Sequence, residues 1–266
     1  MKRRSRRSKG GGWGRLRTRW RRLAAWRARR PRWARVLLGV TVLAVLALSY
    51  QVLKKPTELL GVVPTAAKGP SSTWSAYGAL FRENATDLVT AELLAALVQV
   101  ESAGDPLART YWRWRFSWNP LDLYAPASSA VGLLQLTDGA FAEARHLCIH
   151  DHHVVQEGPW RDPRACWFND LYVRWVPSNA IEMTAAWLDQ AVRGTLGDRL
   201  LRSTPDERLR LAAVIHLCGR QRGSRYARRG FRARPAERCG DHALALYVAR
   251  VGDLAREFAR LGAGGS

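Results

Sequence analysis

The stretch LLAALVQVESAGDPLA, residues 93–108, carries a carboxylate at the end of an apolar helical stripe. Leu94 and Leu97 recur at helical spacing, and Glu101 continues the same face. Thr90 is a suitable N-cap for this helix, and the sequence SAGDP that follows Glu101 is expected to end it. We therefore predict an amphipathic helix whose last turn presents Glu101.

The predicted surroundings of Glu101 suit acid/base chemistry. Apolar neighbours disfavour an ionised side chain, and the carbonyl oxygens at a helix C-terminus oppose a negative charge as well. Both effects favour the protonated carboxyl, which is the form that a general acid requires. A structural glutamate, paired with an arginine or with backbone donors, is the alternative that this residue alone leaves open.

Helical patterns continue through the rest of the chain. A glycine-bearing turn in SSAVGLLQLTDGAF, residues 128–141, leads to a helix that we expect Asp138 to cap, and Ser178 is the expected cap of NAIEMTAAWLDQAV. TPDE at residues 204–207 has the form of a capping box with proline at the first helical position, and Gly219 is expected to end that helix. The body of the chain is therefore predicted to be mainly α.

Two further patterns complete the predicted domain. Asp241 is expected to open a last helix, whose apolar stripe comprises Leu244, Tyr247, Val248, Val251, Leu254, Phe258 and Leu261. In YWRWRFSW, residues 111–118, Trp112, Trp114, Phe116 and Trp118 alternate with Arg and Ser, which predicts a strand or a small extended lip. This aromatic face can pack against the domain or form a platform for sugar rings.

The positive charge is concentrated at the N-terminus. The formal net charge is +21, yet the first 35 residues contain 16 Lys or Arg and no Asp or Glu, so the remainder is close to balanced. Trp13, Trp20, Trp26 and Trp33 recur in this tail at spacings of six or seven residues, which is typical of a basic helix on an anionic membrane surface. A solvated charge run and a single-stranded nucleic acid site are alternatives for the tail, and no nucleic-acid partner is expected.

An apolar segment follows the tail. Residues 36–53 contain no charged side chain, and a helix of 18 residues spans about 27 Å, close to the ~30 Å hydrocarbon core. The excess of bases before it assigns the N-terminus to the cytoplasm. We expect a tail (1–35), one uncleaved transmembrane helix (36–53), a linker (54–84) and a helical domain (85–262); a cleaved signal peptide is the alternative.

The four cysteines fit an oxidising compartment. No Cys-x-x-Cys pair occurs, so two disulfides are expected, and of the three possible connectivities we predict Cys148 with Cys166 and Cys218 with Cys239. In the chain-entropy model each stabilises the fold by about 3 kcal/mol. HLCIHDHH, residues 146–153, is rich in histidine but has no catalytic metal motif, so neither a metal nor a cofactor is expected.

VESAGDPLA followed by SSAVGLLQLT resembles the lytic transglycosylases of bacterial cell walls, which share the goose-type lysozyme-like fold and typically read Glu-Ser and then Gly-Leu-Met-Gln. The resemblance covers roughly residues 88–261. It implies that Glu101 is the sole catalytic acid/base and that Ser102 accompanies it. The residues that it places at the saccharide groove are Gly132, Leu133 and Gln135. Tyr247 resembles a late tyrosine whose hydroxyl points toward the catalytic site.

The resemblance also implies a reaction and a location. Glu101 would protonate the β-1,4 oxygen between N-acetylmuramic acid and N-acetylglucosamine, and then take the C6 hydroxyl proton to leave a 1,6-anhydro end, with the substrate's acetamido group replacing a second carboxylate. A lysozyme-type hydrolase is an alternative, with Asp105, Asp122 and Asp138 as candidate second carboxylates. The expected partners are peptidoglycan strands, the inner membrane through residues 36–53 and the tail, and a cell-envelope complex, with the domain in the periplasm.

The chain departs from the family pattern at two places. Leu134 stands where the family has Met, and IHLCG, residues 215–219, stands where Ala-Tyr-Asn-Ala-Gly is expected, with His216 at the tyrosine and Leu217 at the asparagine. The second departure motivates a further alternative, a non-catalytic peptidoglycan-binding scaffold of a cell-envelope machine.

Overall fold

The chain divides into two units, Met1–Pro56 and Thr57–Ser266. The computed structural model describes residues 31–54, 68–108, 112–114, 124–126, 128–156, 158, 161–162 and 165–264. At residues 47–54, 112–114, 124–126 and 167–168 it describes the backbone alone.

The described part of the first unit contains one helix, α1 (Arg32–Lys54). Its apolar side chains are exposed up to Leu46. No helix among the residues that the structure describes is long and apolar enough to cross a membrane. The predicted basic tail lies outside the described residues up to Arg30, so its tryptophan pattern stays a prediction.

The second unit is mainly helical, as the sequence predicts, and its described part contains three short antiparallel hairpins. In chain order the elements are α2 (Pro70–Glu83), α3 (Ala91–Ser102), β1 (Trp112–Trp114), β2 (Tyr124–Pro126), α4 (Asp138–Ala144), β3 (Leu147–His150), β4 (His153–Gln156), a 3-10 helix (Cys166–Leu171), α5 (Pro177–Leu196), a second 3-10 helix (Gly197–Arg202), α6 (Pro205–Cys218), α7 (Arg220–Arg228), β5 (Arg238–Cys239), β6 (His242–Ala243) and α8 (Leu244–Ala263).

Helix α3 lies at the centre of the core. Six consecutive residues, from Leu93 to Val98, are buried, so the helix is enclosed on all sides rather than along one stripe. α2 and α8 pack directly against it, and the predicted stripe of α8 is buried from Leu244 to Phe258. Alanines at positions 95 and 96 leave room for the neighbouring helices to approach closely. The site-bearing helix is therefore held firmly in place.

The linker is shorter than predicted, because the second half of residues 54–84 belongs to the core. Residues 70–83 form α2, which begins at Pro70 and buries Tyr77 and Phe81 against α3 and α8. The sequence prediction of a linker up to residue 84 is thus wrong for this segment. The apolar positions 74, 77 and 81 do recur at helical spacing, but glycine, proline and serine around them hide the pattern.

The predicted helix ends are confirmed at three places. The side chain of Thr90 accepts a hydrogen bond from the Leu93 amide at the start of α3. In α6 the reciprocal bonds of the capping box join Thr204 and Glu207. Gly219, with φ of 80°, ends α6 as expected.

Three other predicted caps are wrong. Thr137, one residue before Asp138, caps α4 through the Ala140 amide. α5 begins at Pro177, so Ser178 already lies inside the helix, because proline is favoured in the first turn. Asp241 lies in the turn between β5 and β6, and α8 begins three residues later. In each case the helix begins where a neighbouring residue or a strand pairing sets its first turn. The residue type that usually favours an N-cap does not decide the position.

Both predicted disulfides are confirmed. Cys148–Cys166 joins β3 to the first 3-10 helix, and Cys218–Cys239 joins the end of α6 to β5. The helix predicted to begin at Asp138 is shorter than expected, since it ends at Ala144 and residues 147–150 form β3. Glu182 on α5 accepts from the Ile149 amide at 3.1 Å and thereby docks this hairpin on α5.

The predicted aromatic strand is confirmed for residues 112–114, which pair with residues 124–126. Phe116 and Trp118 lie outside the described residues. Whether the aromatic face contacts sugar rings therefore stays a prediction.

Candidate active site

Glu101 lies in the last full turn of α3, and its side chain is 15% exposed. Ala103, the C-cap, has a left-handed backbone with φ of 49°, and Gly104 follows with φ of 75°. These two residues turn the chain away directly after the carboxylate. Glu101 is thus largely enclosed by the core but open to solvent on one side.

Tyr247 from α8 donates a hydrogen bond to Glu101 Oε1, with an oxygen–oxygen distance of 2.5 Å. The tyrosine is buried, and burial, together with the charge and hydrogen bond of Glu101, raises its pKa well above the usual value. The phenol therefore remains a hydrogen-bond donor at any pH where the protein works. The structure places this predicted residue directly on the carboxylate.

His216, in the last turn of α6, faces the same oxygen, with its Nε2 atom 3.7 Å from Glu101 Oε1. Its side chain is 5% exposed, and within the described structure its Nδ1 atom has no hydrogen-bond partner. Burial lowers the pKa of His216, while the Glu101 carboxylate and the Leu134 carbonyl act in the opposite direction. The imidazole is therefore neutral near pH 7.

A buried polar atom without a partner costs about 1–3 kcal/mol. His150 Nε2 and Thr184 Oγ1 are in the same position as His216 Nδ1 within the described structure.

Ser102 connects α3 to the second motif. Its hydroxyl donates to the Leu133 carbonyl at 2.7 Å and lies 3.0 Å from the Val98 carbonyl of its own helix. The Leu133 side chain is completely buried, so this residue contacts the site region through its backbone. The two motifs that are separated by some thirty residues in sequence are thus joined immediately beside Glu101.

The other residues of the second motif shape a tight loop. Gly132 has φ of 80°, and a Cβ atom there would lie 2.3 Å from the Arg174 carbonyl oxygen, so glycine is required. The side-chain amide of Gln135 donates to the carbonyls of Ala108 and Gly132 at 2.9 and 2.8 Å. Gln135 thereby ties this loop to the segment that follows α3.

A polar cluster that the sequence did not predict surrounds the turn after α3. Lys68 Nζ donates to the Gly104 carbonyl at 3.1 Å and to the Tyr77 hydroxyl at 3.0 Å. Gln99 donates to the Lys68 carbonyl and accepts from Thr73. These contacts hold the turn after Glu101 in place. No sequence signal could have found them, because Lys68 and Thr73 belong to the predicted linker.

The candidate second carboxylates that the structure describes, and the buried Asp189, are each bound by a hydrogen-bond donor of the protein itself. Asp105 accepts from the Leu107 amide at 2.9 Å, and Asp138 pairs with Arg174 at 2.7 Å. Asp189, fully buried on α5, accepts from Thr86 and from Arg193. Asp122 lies outside the described residues. Glu101 differs from the described members of this set in having a phenol and an imidazole as its neighbours.

The histidine-rich stretch, residues 146–153, includes β3, the turn after it and the first residue of β4. His150 and His153 are paired in register, and His152 Nδ1 lies 2.8 Å from the Ala85 carbonyl. The described residues contain no group of three His, Cys, Asp or Glu side chains that could hold a metal ion.

No protein-family model matches this chain, and no curated protein matches it.

Chemically, the arrangement provides one partly exposed carboxyl group whose oxygen contacts a permanent hydrogen-bond donor and a neutral imidazole. Such a carboxyl can give and take a proton at a surface that a ligand can reach. The geometry fits a group that exchanges a proton with a bound ligand.

Proposed function

We propose that this protein is a membrane-anchored peptidoglycan lytic transglycosylase with a lysozyme-like domain. The observation that carries the proposal is that the two motifs meet beside one carboxyl. Ser102, next to Glu101, donates to the Leu133 carbonyl of the GLLQ segment, and Tyr247 donates to Glu101 itself. If the resemblance of the two short motifs to the family were a coincidence, the motifs would not be expected to contact each other in the folded chain.

The geometry supports a mechanism with a single protein carboxylate. Glu101 protonates the oxygen between N-acetylmuramic acid and N-acetylglucosamine, and the substrate's 2-acetamido group supports the cationic centre. Glu101, now ionised, then takes the proton of the C6 hydroxyl as the 1,6-anhydro ring closes. Tyr247 donates to Oε1 throughout and stabilises the carboxylate formed between the two steps.

The proposed location is the inner membrane, with the N-terminus in the cytoplasm and the domain in the periplasm. Its support is the uncharged run of residues 36–53 and the exposed apolar side chains on the first half of α1. We expect the full-length protein to stay with bacterial membranes after extraction at alkaline pH. Release into the soluble fraction would contradict an uncleaved anchor.

The products of digestion test the proposed reaction. Purified sacculi incubated with the full-length protein are expected to release muropeptides that end in 1,6-anhydro-N-acetylmuramic acid, which mass spectrometry distinguishes from reducing ends by the loss of one water. Reducing ends alone would instead assign a lysozyme-type hydrolase with a second carboxylate.

The replacement of Ala-Tyr-Asn-Ala-Gly by IHLCG favours one other candidate, the non-catalytic scaffold. That function predicts co-sedimentation of the protein with sacculi and no soluble product at any pH. The same incubation therefore separates the two candidates, provided that bound protein and released product are both measured.

A further inference from the structure

We propose that residues 220–238 form a basic face that binds the carboxylates of the peptidoglycan stem peptides and so holds the anionic polymer against the domain. The choice of this partner rests on the proposed function, since a protein that acts on sacculi meets stem peptides on every glycan strand. The charge and the geometry of the basic face are properties of the folded chain.

The positive charge of the domain is concentrated in this one segment. Residues 220–238 contain eight Arg and one Glu, whereas the remainder of residues 68–264 contains 17 Lys or Arg and 20 Asp or Glu. The segment therefore has a formal charge of +7, and the rest of the domain has a formal charge of −3. Such an excess attracts anions over the Debye length, which is about 8–10 Å at physiological salt.

The single acidic residue of the segment leaves most of this charge in place. Arg229 donates to both carboxylate oxygens of Glu237, at 2.9 and 2.8 Å. The Arg234 amide donates to the same carboxylate at 2.9 Å. Glu237 is thus used inside the segment, where it neutralises one arginine in a bidentate pair.

Three exposed arginines of the basic face have no such pair. The side chains of Arg225, Arg228 and Arg232 have no ion-paired or hydrogen-bonded partner among the described residues. Arg225 and Arg228 are three residues apart on α7, on the side of the helix opposite the buried Tyr226 and Ala227. Their charges therefore face solvent, where an anionic partner can reach them.

The backbone under these arginines is firmly attached to the domain. Gly223 brings α7 close to α6, since a Cβ atom at that position would lie 2.4 Å from Cγ1 of Ile215. Cys239, directly after the segment, is joined by a disulfide to Cys218 at the end of α6. Because the backbone is already fixed, binding an anion orders only the arginine side chains.

Arg232 lies at a concave part of the basic face. It lines a cleft of about 520 Å³ together with Arg210 and Arg256. Arg210 is paired with Asp206 at 2.7 Å, and Arg256 is paired with Asp253. Among the described residues, Arg232 is therefore the guanidinium on this cleft without a carboxylate partner, and it is free to bind the carboxylate of a peptide.

Both ends of the segment adjoin elements of the candidate active site. The segment begins two residues after α6, whose last turn contains His216 beside Glu101. It ends in β5, which pairs with β6, where His242 packs edge-on against the ring of Tyr247 with centroids 5.9 Å apart. A glycan strand at Glu101 has a stem peptide on each N-acetylmuramic acid. This placement favours the substrate over a lipid surface as the anionic partner.

Co-sedimentation with purified sacculi tests the basic face without any cleavage. In full-length Glu101→Gln, replacing Arg225, Arg228 and Arg232 together by Gln should weaken binding about tenfold, since each exposed ion pair contributes about two- to threefold. The difference should vanish at about 1 M salt, where the Debye length is about 3 Å. Lys at the same three positions keeps the charge and should keep most of the binding.

Two controls separate a specific contact from a general loss of charge. Sacculi whose carboxylates have been converted to amides with a carbodiimide and ethanolamine keep the glycan, and the triple Gln variant and its parent should bind them equally. Replacing Arg199, Arg202 and Arg260, three exposed arginines outside the segment, by Gln removes the same charge. This control should bind native sacculi within about twofold of the parent, and thermal unfolding shows that both triple variants are folded.

Chemical labelling locates the contact even if the triple variant fails to fold. In full-length Glu101→Gln, an arginine-directed dicarbonyl reagent read by mass spectrometry should label Arg225, Arg228 and Arg232 less with native sacculi than with amidated sacculi. The same labelling in nanodiscs of phosphatidylcholine, with and without phosphatidylglycerol, tests a lipid surface. Protection by phosphatidylglycerol but not by sacculi would overturn the proposal and assign the basic face to the membrane.

The binding and digestion experiments fail independently. A triple Gln variant that binds like its parent, or that loses as much binding to amidated as to native sacculi, refutes the basic face even if the wild-type protein releases 1,6-anhydro products. If the wild-type protein releases no product but binds native sacculi through these arginines, the proposed reaction is wrong and the basic face stands.

Discussion

Glu101→Gln is expected to lower the release of soluble muropeptides from sacculi by about 10²–10⁴-fold, the range that general acid/base groups contribute. Glutamine keeps the shape of the side chain and can accept the Tyr247 hydrogen bond through its carbonyl oxygen, but it cannot protonate the glycosidic oxygen. Product release is measured by liquid chromatography and mass spectrometry at a fixed protein concentration.

Glu92→Gln is the matched control, because it makes the same change in the first turn of the same helix. It should retain the wild-type rate and nearly the wild-type thermal stability. If Glu101→Gln digested sacculi as fast as this control, another group would have to be the acid, and the proposed mechanism would be wrong. Thermal unfolding of both variants shows whether a loss of activity comes from a loss of fold.

Phe81→Ala is expected to lower the free energy of unfolding by about 3–5 kcal/mol. Phe81 is fully buried in α2, where its ring contacts Trp74 and Tyr77 and packs under the helices that carry the site. Removing the ring leaves a cavity that its neighbours cannot easily fill. Denaturant unfolding followed by far-UV circular dichroism measures the change.

Ser75→Ala is the control in the same helix, since Ser75 is exposed and should change stability by no more than about 0.5 kcal/mol. Similar effects of the two substitutions would show that α2 is only loosely attached. In that case the domain would begin near residue 85, as the sequence suggested.

Local signals predicted much of the helical framework. The stripe of α8, the threonine cap of α3, the capping box of α6 and the glycine that ends it depend on neighbours in the chain, and such interactions can be recognised from spacing alone. The cysteine pairing was also predictable, because each pair closes a short loop. The mainly helical class of the domain follows from these features.

Contacts between residues far apart in the sequence explain why α2 and β3 could not be predicted. α2 is helical because its apolar face meets α3 and α8, and its own sequence, rich in Gly, Pro and Ser, favours a linker. The segment around Cys148 pairs as β3 because Glu182 and the disulfide hold it there. Both elements depend on contacts with residues far away along the chain.

The sequence by itself determined that a carboxylate would end a buried helix, and that Tyr247 would lie on the inner face of the last helix. Only the tertiary structure decided that His216 faces the same carboxylate oxygen. The physical reason is that helical periodicity places a residue on a face, whereas the packing of α3, α6 and α8 decides which faces meet. In the sequence His216 was a departure from a family pattern; in the structure it is the second titratable group of the site.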